Sequence, residues 1–193
     1  MLHLWLWRAM INQKLETTNT RYKQLTMPDI FISIMGIIVG GWRKEGLLKM
    51  AKVKIIYWSG TGNTAAMAAA IAEGAKEAGA EAELITAETA GAADVQDAKA
   101  IALGCPSMGA EQLEETIMEP LMEELDGAIS GKTVVLFGSY GWGSGDWMRD
   151  WEDRVSSDGA SVWNGEGIIA NNAPDDDALD ACKSAGRDLA GLA

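Results

Sequence analysis

The chain has 193 residues, 48% hydrophobic and 23% charged, with 22 Gly and only 4 Pro, a composition that suits a folded globular chain and excludes wholesale disorder. Its net charge of −12 is unevenly spread: residues 1–49 carry 7 Lys/Arg against 3 Asp/Glu, and residues 50–193 carry 9 against 25. So acidic a body repels phosphodiester backbones and attracts basic protein surfaces, which excludes nucleic acid as a partner.

Taken from the start, residues 1–49 alternate apolar and basic patches without a period. The apolar run at 30–39 is shorter than the roughly 20 residues a membrane helix needs. As a secretory signal it has an overlong leading region and no A-x-A site. No membrane association is expected. Lys44-Glu45-Gly46 can be encoded by codons that resemble a bacterial ribosome-binding site ahead of Met50. Residues 1–49 are therefore expected to be a non-native extension, disordered, with the native chain starting at Met50.

From there, strand-like and helix-like runs alternate. The predicted strands are 53–58, 83–87, 99–104, 133–138 and 161–170. The predicted helices are 63–78, 112–125, 146–157 with Asp146 as its cap, and 175–192 opened by Pro174-Asp175. This alternation predicts an α/β fold: one doubly wound, five-stranded parallel sheet of order 2-1-3-4-5, with helices on both faces. Residues 50–193 are expected to form one domain.

Cys105 and Cys182 are isolated from each other, with no C-x-x-C spacing, so they read as reduced thiols of a cytoplasmic protein and no metal site is expected. The only histidine, His3, lies in residues 1–49. The body therefore lacks the parts for Ser-His-Asp or Cys-His catalysis, and its chemistry is expected to come from a cofactor.

Three Gly-rich segments follow predicted strands, where doubly wound sheets bind ligands. The first is Ser59-Gly60-Thr61-Gly62-Asn63-Thr64, leading into a helix. Its backbone amides and the positive end of the helix dipole suit a terminal phosphate, with short side-chain donors around it. It lacks the Lys of a Walker A loop. Gly60, Gly62 and Ala65 meet the dinucleotide fingerprint only formally. The second segment runs from Gly104 to Glu111 and the third from Phe137 to Trp147.

Tyr57-Trp58-Ser59-Gly60-Thr61-Gly62-Asn63-Thr64 resembles the phosphate loop of short-chain bacterial flavodoxins, and the other two segments resemble that family's flavin loops. The resemblance covers about 50–193, including Asn172-Ala173-Pro174-Asp175. It implies non-covalently bound FMN and an electron-transfer protein rather than an enzyme, a low-potential carrier of single electrons between redox enzymes. It implies Ser59 to Thr64 at the phosphate, with Ser139 close by. It places Met108 and Trp142 on opposite faces of the isoalloxazine, and Glu111 as acceptor of the flavin N3–H. Gly109 corresponds to the glycine whose peptide reorients on reduction. Pro106, Ser107, Tyr140, Gly141 and Gly143 complete the cofactor site. Ala110 stands where polar residues are commoner.

Taken singly, Met108 would read as core, Trp142 as a packing aromatic and Glu111 as a solvated carboxylate; three loops in order favour the flavin reading. Trp147 and Trp151 read as packing residues. The implied partners are redox proteins with basic faces, such as ferredoxin or flavodoxin reductases and low-potential oxidoreductases, and the protein is expected to be a monomer. The rival reading is an NAD(P)H-dependent FMN oxidoreductase of related fold, which needs room for nicotinamide over the face that Trp142 would cover.

Overall fold

The computed structural model describes residues 51–193; the expectations about residues 1–49 fall outside the described residues. Strands β1 (Lys52–Tyr57), β2 (Glu81–Thr86), β3 (Ala100–Gly104), β4 (Thr133–Tyr140), β5 (Ser161–Val162) and β6 (Ile168–Asn171) form one sheet. All pairings are parallel, in the order β2-β1-β3-β4, and β5 and β6 both pair with β4. Ser161 and Val162 lie beside Thr133 and Val134, and Ile168 to Asn171 beside Phe137 to Tyr140. The two pieces are thus halves of one fifth strand, and the expected order 2-1-3-4-5 holds.

The predicted continuous strand 161–170 is broken, however. A 3-10 turn at Trp163–Gly165 carries positive φ at Asn164 (54°) and Gly165 (80°). Five residues, 163–167, cross a gap that β4 spans with Val135 and Leu136, so the chain must bulge outward.

Among the described residues, five helices cover the sheet: α1 (Asn63–Glu77), the short α2 (Ala92–Val95), α3 (Met118–Leu125), α4 (Asp146–Ser157) and α5 (Asp176–Leu192). The strands alternate faces with the period of two that the pleat imposes. Val53, Ile55, Val135 and Phe137 join Met67, Ile71, Cys182 and Leu189 of α1 and α5 in one core. Ile56, Ile101, Leu103, Val134 and Leu136 meet Met118, Leu121, Met122, Trp147, Trp151 and Val155 of α3 and α4 in the other. Fully burying a side chain of this size stabilises by roughly 1.5–3 kcal/mol, so the two cores hold helices to both faces, as expected. Trp147 and Trp151 are each 1% exposed and are packing residues.

Two predicted elements shift. The helix expected at 112–125 begins only at Met118. Glu114 is buried, and its carboxylate accepts from the amides of Thr116 (3.1 Å), Ile117 (2.7 Å) and Met118 (3.1 Å) and from the Thr116 hydroxyl. A side chain folded onto its own following amides starts the helix there, and Pro120, which has no amide to reach back to residue 116, suits only a first turn. Asp146 is the first helical residue of α4 rather than its cap; the cap is Gly145, at φ 88°. Asp175 does cap α5, accepting from the Ala178 amide at 2.9 Å. Among the described residues no helix is long and apolar enough to cross a membrane.

Candidate functional site

The carboxyl ends of β1, β3, β4 and β6 converge on one side of the sheet, at the switch in strand order between β1 and β3. A cleft of about 250 Å³ opens there, lined by residues of all four following loops. It brings together Gly60, Thr61, Asn63, Pro106, Ser107, Met108, Ser139, Tyr140 and Gly141 of the expected site. Ser59, Gly62, Thr64, Gly109, Glu111, Trp142 and Gly143 lie on the same loops but outside the lining.

The first loop is built almost wholly from backbone. Gly62 stands at the N-cap of α1 with φ 94°. Ser59 does not simply face a ligand: its Oγ accepts from the amides of Gly62 and Ala65, each at 3.2 Å, and so closes the loop. Its hydroxyl proton remains available to donate. Thr64 is buried, and its Oγ1 lies 3.4 Å from the Oγ of the buried Ser139, tying the loop to the end of β4. The first-turn amides of α1 have no helical carbonyl to bind, so they and the helix dipole offer a focus for an anion. No Lys or Arg lies in 58–65.

The second loop is fastened to β4 by the amides of Cys105 and Ser107, which donate to Phe137 O (3.0 Å) and Ser139 O (2.9 Å). Met108 and Gln112 then exchange two backbone bonds, at 2.8 and 2.9 Å, and close Gly109-Ala110-Glu111 into a three-residue tip. Gly109 (φ 49°) and Glu111 (φ 53°) both adopt the left-handed conformation. For Glu111 this is a strained state of the kind that gathers at functional sites. Gly109 holds positive φ already in this conformation, so a Cβ would be penalised here as well as in any reoriented state.

The third loop runs from Tyr140 to Gly145. Glu111 Oε1 accepts from the amides of Ser144 (3.0 Å), Gly145 (2.7 Å) and Asp146 (2.9 Å). Arg149 donates to Ser144 O at 2.9 Å and pairs with Asp146, whose carboxyl it holds below the usual carboxylate range. Trp147 Nε1 donates to Cys105 O at 3.2 Å, linking α4 to the second loop.

Trp58 and Asn172 also line the cleft, though neither was singled out from the sequence as a site residue. The signal was present: Trp58 is part of the phosphate-loop motif, and Asn172 follows β6 in a run that carried the resemblance. The Asn172 amide donates to Tyr140 O at 2.7 Å, which adds the β6 end to the cleft wall.

Two large apolar side chains stand in solvent beside the cleft: Trp142 is 64% exposed and Met108 38%. Burial pushes both thiols up to about 12, so Cys105 and Cys182 stay protonated and inert. Hydroxyl groups and helix amides at one end of the cleft, with an exposed indole and thioether at the other, fit a ligand that has a phosphate tail and a flat aromatic head. The fold and this site define a doubly wound mononucleotide-binding protein.

The flavodoxin family model matches residues 55–186. The chain is 46% identical over 134 residues to a flavodoxin of Megasphaera elsdenii, a match covering 69% of this chain and 95% of that protein. It is 44% identical over 140 residues to a flavodoxin of Clostridium beijerinckii, covering 72% of this chain and 100% of that one. The solution structure of two-electron reduced Megasphaera elsdenii flavodoxin superposes with a TM-score of 0.65 at 46% identity, over 72% of this chain and 98% of that one. The chain belongs to the flavodoxin family and is an FMN-binding electron carrier that works with redox partners.

Proposed function

We propose that the cleft holds FMN through the residues expected from the sequence, with Trp58 and Asn172 added, and that the protein acts as a low-potential carrier of single electrons rather than as an enzyme. The observation that carries this reading is the pair of exposed apolar side chains, Met108 and Trp142, on the two loops that flank the cleft. The first-turn amides of α1, the Ser59 hydroxyl, Thr61 and Asn63 would hold the phosphate, and Thr64 and Ser139 would brace them from below. Met108 and Trp142 would cover the two faces of the ring, offering a polarizable thioether and a wide π-surface. Bound FMN supplies the redox chemistry, accepting and releasing one electron at a time.

The chain's own contribution is electrostatic. No cationic side chain in 58–65 offsets the phosphate charge, and residues 50–193 carry a strong excess of Asp and Glu. Added negative charge on the cofactor is then disfavoured, which supports a low potential. A second hollow beside Glu111 is bordered by the exposed carboxylates of Glu115 and Asp150. That face suits partners with basic surfaces, such as ferredoxin or flavodoxin reductases and low-potential oxidoreductases. Cytoplasmic location, a monomeric state and the dispensability of residues 1–49 belong to the same reading. The rival, an NAD(P)H-dependent FMN oxidoreductase, would need nicotinamide on the face given to Trp142.

The test is an absorbance spectrum of the purified protein during stepwise reduction. One bound FMN reduced in two separate one-electron steps is expected. Colourless protein that takes up no FMN, or rapid reduction by NADPH alone, would overturn the reading.

A further inference from the structure

Glu111 does something in this structure that needs no flavin. Its backbone is strained, at φ 53°, and its tip is closed by the paired bonds between Met108 and Gln112. From that tip one carboxylate oxygen, Oε1, reaches across to the third loop and takes three successive amides, those of Ser144, Gly145 and Asp146. Gly145 and Asp146 open α4, where a helix leaves its amides without partners, and Ser144 directly precedes them. α4 has no side-chain cap of its own. The Asp146 side chain is occupied instead with Arg149 and the Ser144 hydroxyl.

Gly143 completes the arrangement. It sits at φ 96°, and a Cβ there would lie 2.3 Å from Glu111 Cδ. The close approach of the third loop to this carboxylate therefore requires glycine. Bonds to an ionised acceptor are the stronger kind, and three of them offset the strain at Glu111.

We propose that Glu111 is a positioning residue: its Oε1 staples the second loop to the cap of α4 and so sets the spacing of Met108 and Trp142 before FMN arrives. The staple rests on the reading of the cleft as an FMN site, and it deepens that reading. Without it, the strained tip and the uncapped helix end both relax, and FMN must then order two loops as it binds, at a cost in affinity. Ring placement is thus set by a bond within the protein as well as by contacts to the cofactor.

The test compares Glu111→Ala and Glu111→Gln with the unaltered chain, first without FMN. Amide hydrogen exchange is read at Ser144, Gly145 and Asp146, with Val155 in the interior of α4 as control. The staple predicts that Ala speeds exchange at the three amides by about tenfold while Val155 is unchanged, and that Gln, which keeps an acceptor oxygen, restores most of the protection. FMN titration of the same apo proteins is expected to show affinity falling by about tenfold or more for Ala and much less for Gln. Unprotected amides in the unaltered apo protein, or exchange unchanged by Ala although FMN binding weakens, would overturn the staple and leave Glu111 acting on the flavin alone. Failure of the unaltered protein to take up FMN would count separately, against the cofactor site itself.

Discussion

The two ends of the cleft are built on different principles. The end proposed to hold the phosphate, residues 58–65, is a backbone structure: amides around a glycine N-cap, one serine oxygen closing the loop, and the contact of two buried hydroxyl groups beneath it. The end proposed to face the ring, residues 108–112 and 141–146, is a side-chain structure. It exposes Met108 and Trp142, strains Glu111, and depends on one carboxylate to hold two loops together. A backbone nest recognises an anion of fixed shape. Side chains on strained loops can shift as the charge of their ligand changes. On the proposed reading, affinity belongs to the first end and control of the cofactor to the second.

The largest effect is expected from Trp142→Ala. Loss of an aromatic face against a flat ring costs roughly 1–3 kcal/mol, so FMN and riboflavin, which lacks the phosphate, should both bind about tenfold or more weakly in fluorescence titrations. The apo protein should melt as before, because the indole is already in solvent. A changed melting temperature would show that Trp142 packs on the fold rather than on a ligand.

Next is Glu114→Gln, behind the second loop. Burial opposes ionisation of this carboxyl, but the bonds from Thr116, Met118 and Ile117 outweigh it and hold the pKa below the ordinary 4.5. Removing the charge from these bonds should destabilise by about 2 kcal/mol in urea denaturation at neutral pH. A lowered folded-state pKa means that this contribution is complete above pH 4.5 and is lost as pH falls through the lower value. The gap between variant and parent should therefore close in acid. A gap that stays constant down to pH 3 would contradict the capping role.

Ser59→Ala should cost about 1 kcal/mol of stability, because the Gly62 and Ala65 amides lose their shared acceptor. It should also weaken FMN while leaving riboflavin almost untouched, the reverse of the Trp142 pattern. Equal losses for both flavins would show that the two ends are not separate. Gly109→Ala, with nothing within 4 Å of the added Cβ, should cost about 1 kcal/mol through its positive φ alone. FMN should still bind, and a large fall in FMN affinity would place Gly109 in direct contact with the ring. The smallest effect is on encounter: reduction by a basic reductase should slow as salt shortens the Debye length below about 8 Å. Rates indifferent to salt would argue against docking on the acidic face around Glu115 and Asp150.

The same division explains what could be read from the sequence. The sheet order followed from the alternation of strand-like and helix-like runs, such as Lys52–Tyr57 and Asn63–Glu77, because these are local patterns. The turn into α1 was legible for the same reason: Ser59 to Thr64 are contiguous. Elements governed by a particular side-chain contact or a left-handed turn were not. The helix expected from 112 begins at Met118 because Glu114 folds onto the next turn, whereas its composition is simply helix-forming. The fifth strand breaks because Asn164 and Gly165 turn left-handed, which apolar patterning does not reveal. Asp146 resembled a cap, but Gly145 takes that position while Glu111, from another loop, supplies the acceptor. Asn172 joins the cleft only because β6 lies beside β4.

The most direct test of the account is a calorimetric titration of the apo protein with FMN and, separately, with riboflavin. It predicts one site for each, with FMN bound about tenfold or more tightly, since the backbone nest acts only on the phosphate. Equal affinity for the two flavins, or no binding of FMN, would contradict it.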